Sequence, residues 1–208
     1  MGREIHRKGS LLPAGACLSA LLLAHCSPAA DTGTGGIVPR GGVAMEMHLK
    51  LSPIHLQTDP RWRDETLGGS NERFGSTGCA VCGVSMALAE YDMAIPPDSL
   101  NRLMKAHSGY TDRGWIKWDA IADVTGGRAW VDASAPLSHA TIDTALRRGR
   151  PVLAKVMING SIAHWVLIAG KQGMEYLMKD PLGDGRSLEP IGRYRSRIHA
   201  IRVVHGDE

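Results

Sequence analysis

The sequence predicts an α+β domain whose N-terminal helices pack on one side of an antiparallel sheet. Three observations lead there. Small and apolar residues recur at helical spacing in several segments between Gly78 and Gly149. After Pro151 the pattern changes to short, β-rich apolar runs. Helices grouped ahead of strands belong to α+β domains rather than to alternating α/β ones.

The elements follow in order. Gly78 to Tyr91 carries Val81, Val84, Ala87, Leu88 and Tyr91 at helical spacing. Pro97-Asp98-Ser99 opens a second helix with Leu100, Leu103 and Met104, and Trp115 to Val124 predicts a third, ended by Gly126-Gly127. Ser138 is the expected N-cap of a fourth, with Ile142, Ala145 and Leu146 inward and Gly149 at its end. Strands are expected over Val152–Met157, Trp165–Ala169, Glu175–Met178 and Ile198–Val204.

A chain of 208 residues with 43% hydrophobic content is long enough for one sizeable core. The net charge is +3, of which Arg3, Arg7 and Lys8 against Glu4 supply +2 within residues 1–30. The remainder lacks the clustered basic residues that a nucleic-acid or anionic-membrane footprint needs. No nucleic-acid partner is therefore expected.

Residues 1–30 read as an address. A basic start precedes an apolar run from Leu11 to Ala24, too short for a spanning helix of roughly 20 residues and suited to a secretory signal. Its end, Leu23-Ala24-His25-Cys26, resembles a bacterial lipoprotein signal that would lipidate Cys26, although His25 stands where a small residue is usual. Cleavage near Ala29 or Ala30 is the competing reading. The chain is expected to be exported, whether periplasmic, cell-surface-anchored or secreted, with Cys26 the only expected tie to a membrane. Residues 31–44, rich in Gly and Thr, are expected to be a flexible tether, and the folded domain to span 45–208.

Two cysteines remain in the domain, Cys79 and Cys82. Cys79 follows Gly75-Ser76-Thr77-Gly78 and opens the first helix, where the partial positive charge of the helix N-terminus favours a thiolate. Gly78 is expected to leave the approach to sulfur open. The bland alternative for Cys79 is a small buried core residue. Cys82 completes a Cys-x-x-Cys spacing that fits a redox dithiol or half a zinc site. No second Cys-x-x-Cys or compact His pair exists to complete a zinc site, so no metal or other cofactor is expected. Ala80-Val81 looks like helix interior, which makes Cys82 a packed core residue, with a labile disulfide to Cys79 left open.

The stretch His164 to Pro181 reads as a hairpin with its turn at Lys171-Gln172-Gly173. Residues equidistant from Gln172 then face each other, which puts His164 opposite Asp180 at the open end. A carboxylate there would orient the imidazole and stabilise its charged form. A one-residue slip would break the pair. Taken singly, His164 is an ordinary strand-end histidine and Asp180 the turn residue of an Asp-Pro step. Cys79, His164 and Asp180 together point to a cysteine hydrolase.

The string Gly78-Cys79-Ala80-Val81-Cys82-Gly83-Val84-Ser85-Met86 resembles the nucleophile segment of bacteriocin-processing-like peptidases, family thirty-nine of the cysteine peptidases within the papain-like superfamily. The resemblance runs through Gln57-Thr58-Asp59-Pro60-Arg61-Trp62, Leu67-Gly68, Gly114-Trp115-Ile116-Lys117-Trp118-Asp119, Gly149-Arg150-Pro151-Val152, His164-Trp165-Val166-Leu167-Ile168-Ala169-Gly170 and Asp180-Pro181. It implies a papain-like fold, a Cys79–His164–Asp180 triad and an oxyanion-donating side chain at Gln57. Two departures stand out. Cys82 replaces the usual hydroxyl residue, and no transporter segment follows. A peptide or protein substrate is the expected partner, and acyl transfer to an amine would use the same residues. Trp115, Trp118, Trp130 and Trp165 are candidates for an apolar cleft or for core. The rival functions are a non-catalytic papain-like binding module at the cell surface and a Cys-x-x-Cys thiol–disulfide protein.

Overall fold

The computed structural model describes residues 1–2, 35–50 and 52–207. The chain divides into two units, Met1–Asp31 and Thr32–Glu208. The signal-segment expectation, with Cys17 and Cys26, lies outside the described residues, as do residues 31–34 of the expected tether.

The second unit is α+β. Its elements are β1 (Arg40–His48), α1 (Phe74–Thr77), α2 (Cys79–Ala89), α3 (Pro97–Ala106), α4 (Ala120–Val124), β2 (Ala129–Asp132), α5 (His139–Arg147), β3 (Val152–Ile158), β4 (Ile162–Lys179), β5 (Glu189–Pro190), a 3₁₀ turn (Ile191–Tyr194) and β6 (Ala200–Gly206). The sheet runs β1-β4-β3-β6-β2 with β5 on β4, and every pairing is antiparallel.

Period-two alternation gives this sheet two apolar faces. Leu153, Leu167 and Val204 join the core built from α2 and α3, with Val81, Cys82, Val84, Leu88, Leu100 and Met104. Val152, Ala154, Val166, Ile168, Ile201 and Val203 join Ile142, Ala145 and Leu146 of α5 on the other face. The helices therefore do not all lie on one side. A sheet whose strands are apolar on both faces needs cover on both, and α5 supplies the second layer.

Ser138 caps α5 by accepting from Thr141 N at 3.1 Å. The expected third helix is shorter than its pattern, reduced to α4. Residues 115–119 instead make turns and a bridge between Tyr110 and Ile116.

The tether expectation is corrected from residue 37 onward. Ile37 bridges Ile198 and is buried, and Arg40–His48 is a sheet strand. Buried Lys171 holds this arm, and buried Lys179 holds the chain just beyond it. Lys171 Nζ meets Asp143 Oδ1, Gly41 O and Val43 O, each at 2.7 Å, while Val43 N donates to Asp143 Oδ2 at 2.7 Å. Lys179 Nζ meets Glu90 Oε1 at 2.6 Å and also Ser52 Oγ. These polar anchors, rather than an apolar face, order a Gly-rich segment that composition alone marks as unfolded.

The same arm explains a second correction. The chain does reverse across Lys171-Gln172-Gly173, but these residues are strand as well, because Met47, Glu46 and Met45 of β1 pair with them.

Candidate active site

Cys79 is the first residue of α2 and is buried, 7% exposed. Sγ lies 3.9 Å from Thr77 O. Gly78 joins α1 to α2, and a Cβ placed there would fall 2.3 Å from the Phe74 ring. The glycine thus lets two short helical turns meet over a buried phenylalanine, a packing reason distinct from the open approach that its sequence position suggested.

His164 and Asp180 are both buried, with Nε2 2.8 Å from Oδ1. They stand near the two ends of one continuous 18-residue strand. Since a straight strand between them would span roughly 50 Å, β4 doubles back. Gly173, with φ of +58°, sits in the middle of that reversal, in a region open to glycine at little cost. Tyr176 and Met178 return to the same core as Val166 and Ile168.

Asp180 is fully occupied. Oδ1 also accepts from Leu182 N at 2.9 Å, and Oδ2 accepts from Tyr194 Oη at 2.5 Å. Burial alone would raise its carboxyl, but the His164, Tyr194 and Leu182 hydrogen bonds together hold it below the usual carboxylate range. An ionised carboxylate only accepts, so Nε2 carries a proton and Nδ1 is left for exchange with Cys79. Burial pulls the His164 imidazolium down, yet the hydrogen bonds to Asp180 and Cys79 and both their charges outweigh it and push it up to about 9.

Gln57 is buried and joins the two halves. Its backbone N donates to Pro181 O at 3.0 Å, next to Asp180, and its Nε2 donates to Gly75 O at 2.9 Å, four residues before Cys79. Its Oε1 has no protein partner among the described residues. All four expected site residues are thus brought to one place.

Cys82 lies one turn deeper in α2, fully buried in the core, and both cysteines are free. Burial, reinforced by the charge of Cys79, pushes its thiol well up. No protein-family model and no curated protein matches the chain.

Tyr194 was not legible from sequence. It comes from a short 3₁₀ turn with no local motif, yet its ring packs edge-on against His164 with centroids 5.5 Å apart. Its phenol is raised by burial and by Asp180. The four tryptophans do not line one cleft. Trp118 and Trp165 pack on each other at 5.1 Å, Trp130 stacks on His205 at 3.8 Å, and Trp115 is 62% exposed.

Proposed function

We propose that this chain is an exported papain-like cysteine peptidase with Cys79 as nucleophile, His164 as base and acid, Asp180 as orienter and Gln57 as oxyanion donor. The observation that carries the reading is the buried His164–Asp180 pair, with Cys79 near enough to raise the same imidazole. A buried carboxylate behind a histidine beside a helix-N-terminal thiol supplies what acyl transfer to sulfur requires.

His164 Nδ1 takes the Cys79 proton, and Sγ attacks the substrate carbonyl carbon to form a C–S bond. The resulting oxyanion is held by Cys79 N–H and the Gln57 amide. The intermediate collapses as the C–N bond breaks, and the amine departs with the proton from His164. Water then attacks the thioester, giving its proton to His164. The C–S bond breaks, the acid leaves, and Cys79 regains its proton.

The test is alkylation of each cysteine against pH in the purified domain, mapped by mass, alongside cleavage of a peptide pool. Fast reaction at Cys79 that disappears in His164→Ala, together with cleavage that Cys79→Ala abolishes, is the expected result. An inert Cys79, or one locked to Cys82, overturns it in favour of a binding module.

A further inference from the structure

A polar basin lies beside the segment that leads into Cys79. A cavity of about 690 Å³ is lined by Thr58, Arg63, Asp64, Arg73, Gly75 and Ser76. Thr58 follows Gln57, and Gly75 O is the group that Gln57 Nε2 holds. Ser76 precedes Thr77, whose carbonyl lies 3.9 Å from Cys79 Sγ. The basin wall therefore includes the residue after Gln57 and the residues three and four positions before Cys79.

Its lining residues all carry polar side chains apart from one glycine, so hydroxyls and charges are the groups that can fix a ligand here. The charges are unequal. Asp64 faces Arg63, with Nε 3.5 Å from Oδ2. Arg73 is bound only through the main chain of that aspartate, Nη1 donating to Asp64 O at 2.6 Å. Among the described residues no carboxylate pairs with Arg73. A planar guanidinium anchored through one N–H, at the rim of a solvent-filled basin, presents its other donors as a fork suited to carboxylate. Gly75 N donates to Arg63 O at 2.8 Å, which fixes the second arginine's backbone to the wall next to the nucleophile.

We propose that Arg73, with Arg63 beside it, forms a carboxylate-recognising subsite on the wall leading to Cys79, so that the substrate carries a carboxylate near the bond cut there. This rests on the reading of Cys79 as the nucleophile. The carboxylate is either an acidic side chain or a chain terminus. Both arginines act on specificity and touch no reacting atom.

The experiment compares two alkylating reagents of near-equal size and opposite charge character, anionic iodoacetate and neutral iodoacetamide, at Cys79 by mass mapping. Wild type, Arg73→Gln, Arg63→Gln and the distant control Arg147→Gln are compared at low salt. Removing one nearby positive charge across a water-like dielectric lowers the iodoacetate-to-iodoacetamide ratio about twofold to threefold. The expected result is that fall in Arg73→Gln, a fall in Arg63→Gln, and none in Arg147→Gln. Equal ratios in all four proteins overturn the subsite and leave the nucleophile standing. Reaction with neither reagent overturns the nucleophile and the subsite with it. Peptide cleavage then separates the sources: cuts beside internal Asp or Glu indicate a side chain. Cuts confined to free C-termini, and lost on amidation, indicate a terminal carboxylate. Cuts indifferent to both overturn the subsite.

Discussion

His164 Nε2 lies 2.8 Å from Asp180 Oδ1, although the two residues are 16 positions apart, one near the start of β4 and the other just past its end. The pair exists only because β4 folds back, and it sets the charge of the site. His164 is raised to about 9, above its ordinary value of 6.5. Its contribution to stability is therefore complete below about 6.5 and lost as pH rises through about 9. Turnover should fall over the same alkaline range, because the leaving amine needs the imidazolium proton. Asp180→Asn removes a charge and a hydrogen bond that raise His164. The alkaline limb of kcat/KM should move to lower pH and turnover should drop about 10²-fold or more. A pH–rate profile of both proteins checks this, and an unmoved limb would sink the assignment.

Tyr194→Phe keeps the ring against His164 and deletes only the donor to Asp180 Oδ2. A hydrogen bond to a charged group is worth about 1.5–3 kcal/mol. Asp180 is held low, so its stability contribution is present above about 3.9 and lost as pH falls through its folded value. Without Tyr194 that loss should begin at higher pH, which urea unfolding across the acid range will register.

Much of this site was legible because its chemistry is local. A glycine before a cysteine at a helix start, and a histidine and aspartate equidistant from Gln172, need only spacing to be read. What sequence did not yield depends on partners far away. Residues 40–48 look like a tether because their order comes from Lys171, Asp143 and β4, none of them nearby in sequence. The middle of β4 reads only as a turn for the same reason, since the strand that pairs with it comes from that arm. Tyr194 reaches Asp180 from a short turn with no periodicity to mark it.

Cys82→Ala should leave turnover within about twofold and cost about 1 kcal/mol of stability, the size of a small core deletion. Its thiol is fully buried and pushed well up, so it contributes packing rather than reactivity. A thiol–disulfide protein would lose all activity with that change. Parallel assays of peptide cleavage and disulfide reduction distinguish the two.

Lys171→Met leaves Asp143 buried without its cation and frees Gly41 O and Val43 O. Breaking one side of a buried ion pair typically costs about 3–5 kcal/mol. Urea unfolding should show that loss, and proteolysis should cut first within residues 40–48. Replacing Asp143 as well, with Leu, should recover part of it by removing the stranded carboxylate. A Lys171→Met protein as stable as wild type would mean that the arm does not depend on this anchor.

Gln57 has two roles that one substitution can separate. Its backbone bond to Pro181 O survives in Gln57→Ala, while the side-chain bond to Gly75 O and any donation to the oxyanion are lost. If the amide acts on the oxyanion, kcat should fall by about 10²–10³, equivalent to about 2.7–4 kcal/mol of barrier. Alkylation of Cys79 forms no oxyanion, so its rate should stay within about twofold of wild type. If both rates fall together, Gln57 works by holding the Cys79 segment against the His164–Asp180 segment. The tie through Gly75 O is then what the site needs from it.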